Sequence, residues 1–137
     1  MKTIVGGRTY HDGEVICSQG EPGDCMYIVQ EGTVELIHEE NGQEFSLSTL
    51  EPGDFWGQSG LLEPNHLRTA TAKAVGEAVV ASLEERSFLA RIQEDPSFVL
   101  QIMRKMSQRV HDLHQVLVRH GMKAWAIEWP IPSIHLD

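Results

Sequence analysis

Between residues 8 and 83 the apolar residues come in short runs that alternate with polar ones, and the runs are separated by turns that carry glycine. A period of two marks half-buried strands, and many short strands with repeated turn signals mark an all-β sandwich or barrel. HDGEVI and SQGEPGDCMYIV each supply a turn, and QEGTVELI and EFSLSTL flank HEENGQ. Within HEENGQ, Asn41 and Gly42 both tolerate positive φ, so the two flanking strands are expected to be antiparallel neighbours joined by a tight hairpin. After LEPGDFWGQ and a second glycine-bearing loop, HLRTATAKAV and EAVVASL resume a strand pattern rich in Thr, Val and Ala, and the β part ends near Leu83.

Beyond Leu83 the period lengthens to that of a helix. A short helix is expected over about Glu84 to Glu94, and a long one opens at Asp95-Pro96, where Asp can cap free amides and Pro can take the first helical position. On the long helix Met103, Met106, Val110, Leu113 and Leu117 fall at alternating spacings of three and four, a single narrow stripe. Such a stripe either lies on the β core or pairs with its own copy, and the working expectation is a homodimer through this helix. From Gly121 the tail GMKAWAIEWPIPSIHLD holds two tryptophans and two prolines. It cannot extend the helix far and is too apolar to stand free, so it should dock on its own chain or on a partner. The expected organisation is one domain over 1–120 followed by an apolar tail over 121–137.

Composition narrows the function. The chain has 137 residues, enough for one core, and a formal net charge of -9. That charge opposes the counterion release on which nucleic-acid binding depends, so no direct contact with DNA or RNA is expected, although a local positive niche can still take a small anion. The opening MKTIVGGRTY lacks the apolar run of a secretion signal, and no run approaches the roughly 18 apolar residues of a membrane span. A cytoplasmic protein without a membrane contact is expected, with Cys17 and Cys25 as reduced thiols rather than a disulfide or metal pair.

The stretch FWGQSGLLEPNHLRTATA carries one candidate for anion chemistry. Residues Gly57, Gln58, Ser59, Gly60 and Leu61 could form a short helical turn in which small side chains let backbone amides approach an oxyanion. Arg68, entering from the next strand, would meet the same anion with a planar two-donor fork. Taken alone, an arginine that begins a strand is an ordinary solvated charge or ion-pair partner, and its context is what raises it.

The order of glycine turn, short helix, then Arg followed by Thr and small β-formers resembles the phosphate-binding cassette of the cyclic-nucleotide-binding domain family. GEVICSQGEPGDCMYIVQEGTVELI, ENGQEFSLSTLEPGDFWG, EAVVASL and the two helices follow in that family's order over about residues 8 to 120. The resemblance implies a double-stranded β-helix, a jelly-roll-like β-roll, with Gly20, Gly23, Gly32, Gly42, Gly53 and Gly57 at its tight turns. It implies that Arg68 pairs with the cyclic phosphate, that Thr69 adds a hydroxyl, and that amides around Ser59 and Gly60 complete the cradle. It also implies that the base is read near Leu113 and His114 on the long helix. Two departures matter. The family's acidic ribose-binding residue is replaced by Gln58, a neutral acceptor that should forfeit about 1 kcal/mol, or roughly five- to tenfold in affinity. Leu113 cannot hydrogen-bond a base. Thr directly after the arginine is often found in members that prefer cyclic GMP, but the bacterial-looking context favours cyclic AMP, so cyclic AMP ranks first and cyclic GMP second. The helix-turn-helix of the transcription-factor branch is not expected after the long helix, so the expected output runs through another polypeptide or the dimer seam.

Other classes fit less well. EPGDFWGQ echoes a cupin motif, but Trp56 stands where a metal-binding His is needed. His11, His38 and His66 fall on separate turns, His111 and His114 lack ligand-spaced partners, and GQSGL places its serine one residue short of a nucleophile elbow. Neither an enzyme nor a metal or other cofactor is expected. The rival reading is a degenerate β-roll that binds no ligand and serves as a dimeric docking module.

Overall fold

The computed structural model describes residues 6–63 and 65–121, so the tail expected to dock lies, apart from Gly121, outside the described residues. The chain divides into two compact units at Asp95/Pro96.

The first unit is the β-roll. Its elements are β1 (Arg8–Tyr10), β2 (Val15–Cys17), β3 (Cys25–Glu40), β4 (Gln43–Leu50), β5 (Phe55–Trp56), α1 (Ser59–Leu62), β6 (Thr71–Glu84) and α2 (Glu85–Glu94). All strand pairs are antiparallel; the sheet order is β1-β6-β3-β4, with β2 also on β6 and β5 on β3. The expected mainly-β fold with a short and a long C-terminal helix is what forms.

Two long strands organise the roll. β3 and β6 pair from Cys25↔Glu84 to Ile37↔Thr71, with register shifts between Val29 and Glu31 and between Glu31 and Thr33. Such bulges bend a strand and sharpen its twist, which lets one strand serve both halves of a roll. Gly32 sits in this bulge at φ +79°, and a Cβ there would lie 2.3 Å from the carbonyl oxygen of Glu77. No L side chain fits that position.

Ala72, Ala74, Ala78 and Val80 of β6 project inward with Val29 and Val34 of β3, and Tyr10, Cys17, Leu50 and Trp56 close the core around them. Small alanines opposite larger partners keep the roll narrow, and burial of each large apolar side chain contributes about 1.5–3 kcal/mol. Met26, Ile28, Ala81 and Leu83 are buried as well. β3 and β4 meet at Asn41 and Gly42, with φ of 53° and 80°, the two-residue hairpin read from the sequence.

The second unit contains α3 (Ser97–Arg119), whose buried residues are Phe98 and Ile102. Pro96 already has helical dihedrals, φ -57° and ψ -24°, immediately before it, in keeping with proline's place at a helix start. Of the stripe, Met103, Val110 and Leu113 are exposed by 59%, 53% and 54%, so on this chain it is largely open to solvent. No described helix is long and apolar enough to cross a membrane.

Candidate functional site

The loop that carries Arg68 is anchored by its backbone. Gly20 donates to Arg68 O at 2.8 Å, Arg68 N to Glu21 O at 2.8 Å, and Gly23 N to His66 O at 3.0 Å, with a Pro22↔Leu67 bridge between them. These bonds fix both backbone groups of Arg68, and its side chain leaves them in one direction.

That direction is inward, past glycines. A Cβ on Gly23 would lie 2.2 Å from Arg68 Nε, and one on Gly57 would lie 2.5 Å from Nη1. Gly57 also has φ +80°, and a Cβ on Gly60 would approach Gly23 O to 2.9 Å. The glycines beside the short helix thus clear a channel for the guanidinium. Gly23 belongs to it too, although in the sequence it reads only as a turn residue.

Arg68 is 6% exposed. Its Nη2 donates to Cys25 O at 2.7 Å and lies 3.5 Å from Cys25 Sγ, while Nη1 donates to Gly57 O at 3.3 Å. Its Cζ stands 5.2 Å from the ring centroid of Tyr27, which stacks on Trp56 at 4.8 Å. Trp56 Nε1 donates to Cys17 Sγ at 3.5 Å, so the tryptophan in the cupin histidine position is a core residue. Burial, and next a hydrogen bond with Cys25, push the Tyr27 phenol well above its usual range, with Arg68 pulling the other way. The face that Tyr27 offers the cation is therefore a neutral ring.

Among the described residues no carboxylate forms a salt bridge with Arg68. Its donors meet neutral carbonyls, and among the described residues no carboxylate balances the charge. A buried charge costs several kcal/mol unless it is paired. Carbonyls and an aromatic face reduce that cost, and an anion would remove it.

Gln58 precedes α1 with helical dihedrals, and Ser59, Gly60 and Leu61 lie within the helix. Gly60 N donates to Gly57 O and Leu61 N to Gln58 O, both at 3.0 Å. Those two amides close the turn. Among the described residues the amides of Gln58 and Ser59 have no backbone acceptor outside the regular elements. Thr69 is exposed, and its carbonyl accepts from His38 Nδ1 at 2.8 Å. The structure therefore gathers Gly57, Gln58, Ser59, Gly60, Leu61, Arg68 and Thr69 into one loop system. Leu113 and half-buried His114 lie on α3, in the second unit.

Among the described residues no group of three or more His, Cys, Asp or Glu is arranged to hold a metal ion. A surface depression of about 680 Å³ opens beside α2, but Asp24, Glu84 and Glu85 outnumber Arg86 in its wall, the wrong sign for an anion.

The description "Cyclic nucleotide-binding domain" belongs to the family whose model matches residues 7–95. The cAMP-activated global transcriptional regulator CRP of Salmonella typhimurium is 32% identical over 102 residues, covering 74% of this chain and 49% of that protein. The catabolite activator protein of Thermus thermophilus superposes with a TM-score of 0.72 at 28% identity, over 85% of this chain and 55% of that one. A solved structure from a cyclic-GMP-dependent signalling pathway that regulates bacterial phytopathogenesis gives a TM-score of 0.64 at 30% identity, over 77% of this chain and 84% of that one. This chain belongs to the cyclic nucleotide-binding domain family, and it spans about half the length of the curated CRP relatives it matches.

Proposed function

We propose that the protein is a non-enzymatic regulatory sensor that binds a cyclic nucleotide, cyclic AMP in first place and cyclic GMP in second. The observation that carries this reading is the buried guanidinium of Arg68, which has no carboxylate partner among the described residues. A cyclic phosphate bears one negative charge, which one arginine and a few amides can balance.

In this reading Arg68 holds an exocyclic phosphate oxygen through Nη1, whose bond to Gly57 O is the longer one at 3.3 Å. The amides of Gln58 and Ser59, with Gly60 behind them, face the second oxygen, and the Gln58 side chain accepts from the ribose 2'-hydroxyl. Gly57 and Leu61 shape the turn. Thr69 contributes its hydroxyl to the phosphate or, for a syn guanine, to the base. On the family resemblance, Leu113 and His114 are the residues proposed to meet the base, Leu113 by apolar packing and His114 by stacking or a hydrogen bond.

Ligand capture then shifts the population between two positions of the helices. It does so only to the extent that the two states differ in nucleotide affinity, about 1.4 kcal/mol for each tenfold. The protein passes the change to an effector protein as a homodimer joined through α3. Its site of action is the cytoplasm.

Isothermal titration calorimetry with cyclic AMP and cyclic GMP tests the reading. Saturable binding that falls at least about a hundredfold in Arg68→Ala is expected, as for removal of a charge-assisted bidentate contact. Silence with both nucleotides would replace the sensor by the ligand-free docking module. That alternative draws on Gln58 and on the carbonyls that already occupy the guanidinium.

A further inference from the structure

The geometry points to His38, at the far end of β3, as a positioning residue for Thr69 in the nucleotide site, an inference that rests on the reading above. Val34, Leu36 and His38 share one face of β3; Val34 is fully buried and Leu36 packs on the core, so His38 stands on the inward side of the roll. The β3–β6 ladder ends at Ile37↔Thr71. Beyond that pair β3 continues to Glu40, but β6 has not begun, and side chains take over the pairing.

His38 Nδ1 lies 2.8 Å from Thr69 O, and because a carbonyl can only accept, this nitrogen carries the proton. Beside it the Gln19 side chain accepts from Glu39 N at 2.8 Å and donates to Glu39 O at 2.9 Å, and Gln19 N donates to Thr71 Oγ1 at 3.0 Å. Residues 69 and 71, on either side of the turn that follows Arg68, are thereby tied to the tip of the hairpin. Gln19 holds Thr71, and His38 holds Thr69 itself.

The remaining ring nitrogen faces a carboxylate. His38 Nε2 is 3.8 Å from Glu40 Oε2, so the imidazolium would offer one N–H to Thr69 and the other to a carboxylate. Of the other charged groups packed nearby, Glu39 and its cross-strand partner Glu44 alternate to the opposite face of the hairpin, as do Glu35 and its partner Lys73. Gln19 brings only an uncharged amide. Protonation therefore fixes both ring nitrogens, whereas the neutral ring must adopt the Nδ1–H tautomer to keep Thr69.

Calorimetry on the whole chain reads this out. His38→Ala should weaken cyclic nucleotide binding about fivefold, the worth of one ordinary hydrogen bond. His38→Asn, whose amide can reproduce the Nδ1 donor, should restore affinity to within about twofold. Wild-type affinity in His38→Ala, with binding still at least about a hundredfold weaker in Arg68→Ala, would overturn the role of His38 and leave the sensor intact. No binding by the wild type would overturn both. Should His38→Ala fail to fold, nitrogen NMR of the wild-type imidazoles decides: the Nδ1–H tautomer at alkaline pH is expected, and the Nε2–H tautomer would refute the tie.

Discussion

Arg68 is held by two contacts of unequal strength, and the inequality decides which arm can turn to a ligand. Nη2 to Cys25 O, at 2.7 Å, is short enough for a charge-assisted bond; Nη1 to Gly57 O, at 3.3 Å, is near the limit of one. Nη1 is the arm that can exchange a carbonyl for a phosphate oxygen at least cost. The neighbouring Gln58 sets affinity in the same way, by the charge of its acceptor. Gln58→Glu should therefore tighten both cyclic nucleotides about five- to tenfold, since both carry a ribose 2'-hydroxyl. Titration with a 2'-deoxy analogue checks the contact: the gain should vanish there, and a gain that persists would show that Gln58 faces something else. Arg68 and Gln58 were legible in the sequence because the cassette is contiguous in the chain. Gly23, Tyr27 and His38 were not, since each acts on the cassette across a long stretch of chain and nothing local to them signals it.

At the scale of elements, the β-roll depends on a bend in β3 that no run of apolar residues encodes. Alternation fixed the strands, and Asn41-Gly42 fixed the hairpin, because both are local patterns with one physical outcome. The bulge around Glu31 and Thr33 depends instead on Gly32 fitting against the backbone of β6, a contact made only after the roll has closed. Gly32→Ala would place a Cβ 2.3 Å from Glu77 O at a φ of +79°. The left-handed conformation alone costs about 1–2 kcal/mol, and the clash adds to it, so a loss of at least about 2 kcal/mol is expected. In urea the midpoint should fall with the slope unchanged, which separates a strained native state from an altered unfolded one. The junction at Asp95-Pro96 shows the same division between local and distant information. The helix break was readable from two residues, whereas the division of the chain into compact units at that point was not, because it is a property of contacts across the whole chain.

For the whole molecule the open question is what meets the apolar stripe of α3. Met103, Val110 and Leu113 are each more than half exposed, and Val116 and Val118 are 44% and 47% exposed nearby. Scattered apolar residues on a surface are ordinary, but Met103, Val110 and Leu113 belong with half-buried Met106 and Leu117 to one row at alternating spacings of three and four, a seam that fits a second copy of itself. A substitution on the seam separates the alternatives. In a monomer, Val110→Asp replaces an exposed residue and should change stability by no more than about 0.5 kcal/mol, with no change in mass. In a dimer joined through α3 it sets two carboxylates against each other in an apolar seam, and sedimentation should show the assembly reduced to single chains while the β-roll melts as before. Val110 is chosen over Leu113 because Leu113 also belongs to the proposed base contact, so its loss would disturb ligand binding and assembly together. A wild-type chain that sediments as a monomer at high concentration, with and without nucleotide, would remove the dimer from the proposal and leave Arg68 and its cradle to be judged on binding alone.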